Sequence, residues 1–376
     1  MRESRTGSFQ EYLRPVASDV PPALISPSAF SNINSFARVL PETLALNTFG
    51  FECRLGEKNP RADFLVLATA SQGRDSLAGL HRASVLPNYL MDDPIWQRVQ
   101  DFGARWADPA SPLHGAVDNV WLEFDVDGPA SSIPVPSVFF GLPANGAEGE
   151  VSEQALEGAR RTTVSALRFL SGAEVPPPVL ETLTGCFGAL SPPEHVFQVG
   201  LMMSRGAKAV RLCIQLGTLE RAVEYLAGLG WPGTGADLRG VLGPVARIVD
   251  RVCLDIDAGE TVHPKVGLEC YFDGNRQPRT EPRWGVLLDH LVANGLCTPE
   301  KRKALLAYPG YTDEKTATVP WPASPRRASQ LLGGRSLSTF VRSLHHVKIT
   351  YHPDEPPEAK AYLAANHHWH TPNLPR

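Results

Sequence analysis

The chain has 376 residues, of which 43% are apolar and 20% are charged, a composition typical of a globular protein that folds in water. The formal net charge of −4 argues against a nucleic-acid partner, and no apolar run reaches the roughly 18 residues that a membrane helix needs. The six cysteines form no Cys-x-x-Cys pair, and the N-terminus has no apolar stretch typical of a signal peptide. We therefore expect a cytoplasmic protein without disulfides or structural zinc.

Residues 1–40 are polar and contain several prolines, which predicts an extension with room for one helix. Residues 41–376 are expected to form a single domain. Within them, five pairs of strand-like segments recur, and each pair predicts a β-hairpin. The hairpins are expected at 48–70, 118–142, 194–216, 251–273 and 345–366.

Helical periodicity fills most of the gaps between the hairpins. Thr218 is a suitable N-cap, and Thr298 followed by Pro299 is typical of a helix start. Residues 310–335 are rich in Pro, Gly, Ser and Thr and predict a long loop. Helices are expected at 94–107, 151–171, 218–226, 236–251, 283–295 and 299–307.

Five hairpins supply ten antiparallel strands, and a sheet that helices cover on one face only can close on itself. The predicted fold class is α+β (mixed α/β). It is a ten-stranded antiparallel β-barrel built from five hairpins and surrounded by a ring of α-helices. A closed barrel has no free edge that demands a partner, so a monomer is expected.

The predicted strands alternate between an aliphatic face and a charged face. In segment 120–126, for example, Val120, Leu122 and Phe124 alternate with Trp121, Glu123 and Asp125. The charged face is either a solvated outer surface or the lining of a lumen. Helices between the hairpins and aromatic residues among the charges favour the lumen.

These hairpins resemble the aromatic prenyltransferases of the ABBA type, in particular the branch that prenylates ribosomal peptides (the cyanobactin type). The segment VFQVGLMMSRGAKAVRLCIQLGTLERAVEYL is similar to the central hairpin and following helix of that branch, with a basic residue at Arg211. FGFECRL and DFLVLATA look like its first hairpin, where Glu52 matches a catalytic carboxylate. VKITY and KAYL look like the Lys-x-Tyr elements of the fungal branch that prenylates indoles. The resemblance covers roughly residues 45–366.

The resemblance implies prenyl transfer from an allylic diphosphate in the lumen, and that chemistry assigns three roles. Basic residues stabilise the leaving diphosphate, aromatic rings shield the allylic cation, and a carboxylate accepts the proton. The diphosphate ligands are expected to be Arg54, Arg211, Lys265, Lys348 and Lys360, the shielding rings Trp121, Tyr271 and Tyr362, and the base Glu52 or, second, Glu123.

The expected lumen holds more carboxylates than a diphosphate site needs. The additional ones are Asp125, Asp255, Asp257 and Glu269. They are expected either to hold Mg²⁺, which bridges to phosphate oxygens, or to recognise a cationic acceptor such as an arginine side chain. His345-His346 and the histidines near the C-terminus also suggest a metal, although the latter follow the last predicted strand and are expected at the surface.

The sequence therefore predicts a prenyltransferase. Its donor is expected to be a dimethylallyl or geranyl diphosphate, and its acceptor a peptide side chain or an aromatic small molecule. Two alternatives stay open at this point. One is a non-catalytic barrel that binds a peptide or small ligand. The other is a Mg²⁺- or Mn²⁺-dependent hydrolase that uses the acidic lumen.

Overall fold

A computed structural model describes residues 7–71, 73–81, 88–126, 135–143, 151–206, 209–333 and 336–370. Within these residues there are eleven strands. They are β1 (Phe49–Arg54), β2 (Ala62–Thr69), β3 (Asn119–Phe124), β4 (Ser137–Gly141), β5 (His195–Leu201), β6 (Val210–Gln215), β7 (Arg251–Ala258), β8 (Val262–Tyr271), β9 (Gly310–Asp313), β10 (Leu337–His352) and β11 (Glu355–His370).

Twelve α-helices lie in the same described residues, together with short 3₁₀ segments. The helices are α1 (Phe9–Ala17), α2 (Pro27–Ala37), α3 (Arg74–Ala78), α4 (Asn88–Met91), α5 (Pro94–Ala107), α6 (Glu153–Ser171), α7 (Pro177–Gly188), α8 (Leu219–Gly228), α9 (Gly235–Ala246), α10 (Arg283–Ala293), α11 (Pro299–Ala307) and α12 (Ala323–Leu331).

Ten of the strands close into a barrel. Strands β1 to β8 follow one another in chain order, β10 pairs with β8, and β11 pairs with both β10 and β1. Every one of these pairings is antiparallel, and Glu52 lies opposite Tyr362 on one side and Asp63 on the other. The predicted ten-stranded barrel with surrounding helices is therefore confirmed.

The last hairpin and the segment before it differ from the prediction. Strands β10 and β11 have 16 residues each, so the hairpin begins before 345 and runs through the C-terminal histidines. His367 lies in β11 and its Nε2 is 2.8 Å from the Ser338 hydroxyl. Within the expected 310–335 loop, β9 and α12 form because β10 offers them a partner, which local sequence does not reveal.

The barrel wall separates two environments. The aliphatic side chains of β3 (Val120, Leu122 and Phe124) are buried beneath the helices, where Trp96 of α5 stacks on Phe124 with ring centroids 6.0 Å apart. The charged side chains of the same strands face inward and line a cavity. The lumen interpretation of the alternation is therefore correct, and the solvated-surface interpretation is wrong.

The first forty residues contribute two helices rather than the expected one. Phe9 of α1 is fully buried, and its ring makes edge-to-face contacts with Phe49 at 5.2 Å and Phe64 at 5.4 Å. Helix α1 thus covers the outside of β1 and β2. The division of the chain into residues 1–40 and 41–376 stays a prediction.

In the described part of the chain, every helix is too short or too polar to cross a lipid bilayer.

We expect Phe9→Ala to lower the free energy of unfolding by about 3–5 kcal/mol, because the substitution leaves a cavity among buried aromatic rings. Thermal denaturation of the purified variant measures the effect. Leu331→Ala is the control, since that side chain is 89% exposed and its loss should change little. Equal melting temperatures for Phe9→Ala and the parent protein would mean that α1 does not stabilise the barrel.

Candidate active site

The barrel encloses a cavity of about 660 Å³ that all ten barrel strands line. Its two sides differ in character. Strands β2 to β5 contribute mainly apolar and aromatic side chains, namely Leu65, Leu67, Trp121, Phe139 and Phe197. The consecutive strands β6, β7, β8, β10 and β11, together with β1, contribute most of the charged ones. An amphiphilic ligand therefore meets a matching wall for each of its ends.

Glu52 of β1 is the centre of a hydrogen-bonded trio. Lys360 Nζ donates to Oε1 at 2.6 Å, and the Tyr362 hydroxyl donates to Oε2. Burial alone would raise the pKa of Glu52, but the charge and hydrogen bond of Lys360 and the hydrogen bond of Tyr362 hold it well below its usual range. Glu52 is thus a carboxylate that stays ionised and has a donor on each oxygen.

Two further ion pairs join neighbouring strands on the charged side. Arg211 lies opposite Asp257 and binds it through Nε at 2.6 Å and Nη2 at 2.8 Å. Lys348, which is buried, forms an ion pair with Asp255. Burial alone would lower the pKa of Lys348, but the charge of Asp255 raises it overall. Arg211, Lys348 and Lys360, which are predicted diphosphate ligands, therefore each have an anionic partner inside the lumen.

Glu123 and Glu269 lack such a partner. No described residue donates a hydrogen bond to Glu123, and burial together with the charge of Glu52 raises its pKa to about 8. Glu269 accepts a 2.5 Å hydrogen bond from the Tyr271 hydroxyl. Burial and the charge of Asp255 raise the pKa of Glu269 to about 7. Both side chains can therefore exchange protons near neutral pH.

An aromatic stack crosses this part of the lumen. The His346 ring lies nearly parallel to Tyr362 with centroids 4.1 Å apart, and Tyr271 lies 4.8 Å away. The register of β10 shifts between Leu344 and His346, so His345 and His346 both line the cavity although they are adjacent in sequence. Burial lowers the pKa of His346 well below its usual range, which keeps the ring neutral.

The remaining predicted residues lie at the ends of the lumen. Lys265 lines the cavity but its side chain is 44% exposed, with Glu358 at 3.8 Å. Arg54 lies outside the lining and donates to Asp63 at 3.2 Å. Asp125 also lies outside it and is bound by Arg205 at 2.6 Å and by Ser204 at 2.9 Å. These residues border the cavity rather than form its centre.

Sequence reasoning missed several lining residues. Phe139 was detectable, because it lies directly opposite Trp121 in the second hairpin and so shares its face. Phe197 and His345 lie at register shifts in β5 and β10, so alternation along the strand does not place them on the inner face. Arg205 lies in a 3₁₀ turn without strand periodicity.

The predicted carboxylates do not suit Mg²⁺. Asp125, Asp255 and Asp257 each bind a cationic side chain of the protein itself. Among the described residues, the compact group of possible ligands is Cys213, Asp255 and Glu269, whose donor atoms lie within 4.8 Å of one another. Mg²⁺ prefers oxygen ligands in octahedral geometry, and a thiol beside a lysine ion pair does not supply them. The magnesium requirement stays a prediction that this donor set does not favour.

The barrel is similar in fold to solved prenyltransferase structures. The apo form of prenyltransferase PriB superposes with a TM-score of 0.51 at 15% identity, over 94% of each chain. A 5-dimethylallyltryptophan synthase from Streptomyces coelicolor matches with a TM-score of 0.47 at 15% identity, over 95% of this chain and 97% of that one. No family model and no curated protein matches the sequence significantly. The ABBA barrel predicted from the hairpins is thus confirmed as a fold.

We expect Gly267→Ala to disturb the Lys348–Asp255 pair, because a Cβ at position 267 would lie 2.7 Å from Lys348 Cε and 3.3 Å from Asp255 Oδ2. The predicted loss of stability is about 1–3 kcal/mol, as for other overpacked sites. Differential scanning calorimetry measures it. Gly285→Ala in α10 is the control, since its Cβ meets nothing within 4 Å and an alanine inside a helix should stabilise slightly. If Gly267→Ala melts like the parent protein, the tight packing around the ion pair is refuted.

Glu123→Gln should change how stability depends on pH. Because folding raises the pKa of Glu123 from 4.5 to about 8, its favourable contribution is complete below pH 4.5 and is lost as the pH rises towards 8. The variant should therefore match the parent near pH 5 and exceed it at pH 9 by a few kcal/mol, since one pKa unit is about 1.4 kcal/mol. Melting temperatures at both pH values test this, with the exposed Glu224→Gln as control. A variant no more stable than the parent at pH 9 would contradict the assignment.

Proposed function

We propose that the protein transfers a prenyl group from an allylic diphosphate to an acceptor held in the barrel lumen. The observation that supports this most directly is the division of the lumen into a mainly apolar side on β2 to β5 and a charged side on β6, β7, β8, β10, β11 and β1. An allylic diphosphate has the same two-part character. PriB, whose barrel is similar, adds support, since its ternary complex holds L-tryptophan and dimethylallyl thiolodiphosphate.

The diphosphate would lie against the charged side. Asp257 uses Nε and Nη2 of Arg211, which leaves the Nη1 donors of that guanidinium for a phosphate oxygen. Lys348 and Lys360 lie directly opposite each other on β10 and β11, and the exposed Lys265 lies on neighbouring β8. Cations fixed in place by ion pairs stabilise the charge that develops on a leaving group without reorganising.

The chemical step then needs few further groups. The allylic C–O bond breaks, the electron pair leaves with the diphosphate, and the acceptor forms a bond to the allylic carbon. Trp121, Phe139 and Phe197 line the opposite wall, where aromatic faces exclude water and attract the allylic cation. Tyr271 is a weaker candidate for shielding than expected, because the Arg251 guanidinium already lies 4.2 Å from its ring centroid.

A carboxylate finally accepts the proton that the acceptor loses. Of the two predicted bases, Glu123 fits this role better than Glu52. Both oxygens of Glu52 already accept hydrogen bonds, and its pKa is held low, which makes it a weak base. The pKa of Glu123, about 8, lies near the working range of a general base. Glu52 would instead orient Lys360 and Tyr362.

The acceptor that the cavity supports best is an aromatic group. A volume of about 660 Å³ has room for an allylic donor together with one aromatic ring. The exposed Lys265 supports an opening at the β8 end, through which an aromatic side chain of a peptide would also enter. The monomeric state stays a prediction, and β9 adds an edge strand that the closed-barrel argument did not foresee.

We expect Arg211→Gln/Asp257→Asn to lower kcat/KM for prenyl transfer by about a hundredfold, as for the loss of other preorganised donors. Changing both partners avoids leaving a buried unpaired charge. The assay is release of diphosphate and formation of prenylated product from dimethylallyl diphosphate and a panel of indoles and phenols, detected by mass spectrometry with and without EDTA.

The matched control is Arg302→Gln/Asp289→Asn, which removes a bidentate pair of the same type from the exposed helices α10 and α11. It should keep full activity. Transfer at the parent rate in the Arg211/Asp257 variant would refute the diphosphate assignment. Binding of the diphosphate by the parent protein without any product would favour the non-catalytic barrel. Loss of activity on addition of EDTA would support the predicted requirement for Mg²⁺.

A further inference from the structure

A small polar niche in the lumen wall has more negative than positive charge. Its members are Asp255 of β7, Glu269 of β8, His346 and Lys348 of β10 and Cys213 of β6, and all five line the cavity. Donor atoms of Cys213, Asp255 and Glu269 lie within 4.8 Å of one another. Asp255 and Glu269 carry two negative charges when ionised, and Lys348 supplies one positive charge. The niche is therefore short of one positive charge.

Unpartnered buried polar atoms in the niche, His346 Nε2 among them, point to a missing ligand. The His346 side chain is only 7% exposed, and its Nε2 is buried without a hydrogen-bond partner among the described residues. Glu269 Oε1 lies 3.6 Å from that nitrogen, which is too far for a hydrogen bond, while Oε2 is taken by Tyr271. Buried polar atoms are normally satisfied, so an unpartnered nitrogen facing a carboxylate oxygen is a place for a donor from outside the chain.

We propose that this niche binds a positively charged nitrogen group of the acceptor, an ammonium or a guanidinium. One such group supplies the missing positive charge and donates to Glu269 Oε1 beside His346. The identification of this ligand as the acceptor rests on the proposed function, whereas the binding of a cation does not. The neutral His346 ring does not oppose a cation, because burial and the charges of His345 and Lys348 hold its pKa well below the usual range.

A monovalent organic cation fits this niche better than a divalent metal does. The ammonium of Lys348 is buried and ion-paired to Asp255, so a divalent ion there would face a fixed positive charge. Cys213 is also a poor ligand in this setting. Burial and the charges of Asp255 and Glu269 raise the pKa of its thiol well above the usual value, which keeps it protonated.

The test compares pairs of ligands in which only one member carries the cationic nitrogen group. Isothermal titration calorimetry without any diphosphate would compare tryptamine with 3-ethylindole, and N-acetylarginine amide with N-acetylcitrulline amide. The first pair tests the ammonium and the second the guanidinium. We expect the charged member of at least one pair to bind about tenfold or more tighter, as for charge-assisted hydrogen bonds in a buried site.

Glu269→Gln should remove that preference and leave the affinity for the neutral member nearly unchanged. Glu358→Gln is the matched control, because its carboxylate is 62% exposed at the β8 end and outside the niche. Tyr271→Phe should keep the preference, since it removes a hydrogen bond but no charge. Equal affinities within both pairs on the parent protein would overturn the proposal without any variant.

A zinc titration tests the remaining alternative, which is a metal ion in the niche. Zn²⁺ that binds the parent protein, displaces tryptamine and depends on Glu269 would make the niche a metal site and overturn the proposal. The outcome is independent of the prenyl transfer assay. A preference for charged ligands without any turnover would support the cation-binding niche and refute the proposed prenyl transfer. Turnover of neutral acceptors only would support prenyl transfer and refute the niche.

Discussion

The lumen depends on ion pairs between neighbouring strands. Charged side chains inside a barrel are costly unless the chain supplies a counter-charge, and here Asp255, Asp257 and Glu52 each have one. The register provides the geometry, since Arg211 and Asp257 are direct cross-strand neighbours. A slip of one residue would turn these side chains towards the helices and the aliphatic ones inward. The same pairs that make the interior polar therefore also fix the register.

Much of this architecture follows from local sequence. Helices α5 and α11 begin and end at the predicted residues because Pro94, Thr298 and Pro299 mark their first turns. The alternation in β3 correctly assigns Trp121 and Glu123 to the inner face, since period 2 is a property of any pleated strand. The five hairpins and their closure into a barrel could be predicted from the sequence for the same reason.

The ion-pair partners of the charged residues could not be predicted from the sequence. Glu52 and Lys360 are 308 positions apart, and no periodicity connects them. The pairing of His345 with His346 inside the cavity depends on a register shift that one extra residue creates between β10 and β11. Strand β9 has only four residues and forms against β10. In each case tertiary contacts decide the outcome, so a single sequence could name candidate residues but not their arrangement.

The barrel closes between two strands that are far apart in the sequence. Strand β11 supplies Lys360 and Tyr362 to a carboxylate on β1, so these two strands meet only after the residues between them have been synthesised. On the ribosome, β1 would wait with one edge unpaired while some three hundred residues are added. Exposed edges of that kind invite pairing with other chains, so chaperone binding during synthesis should matter more for this protein than for one built from local contacts.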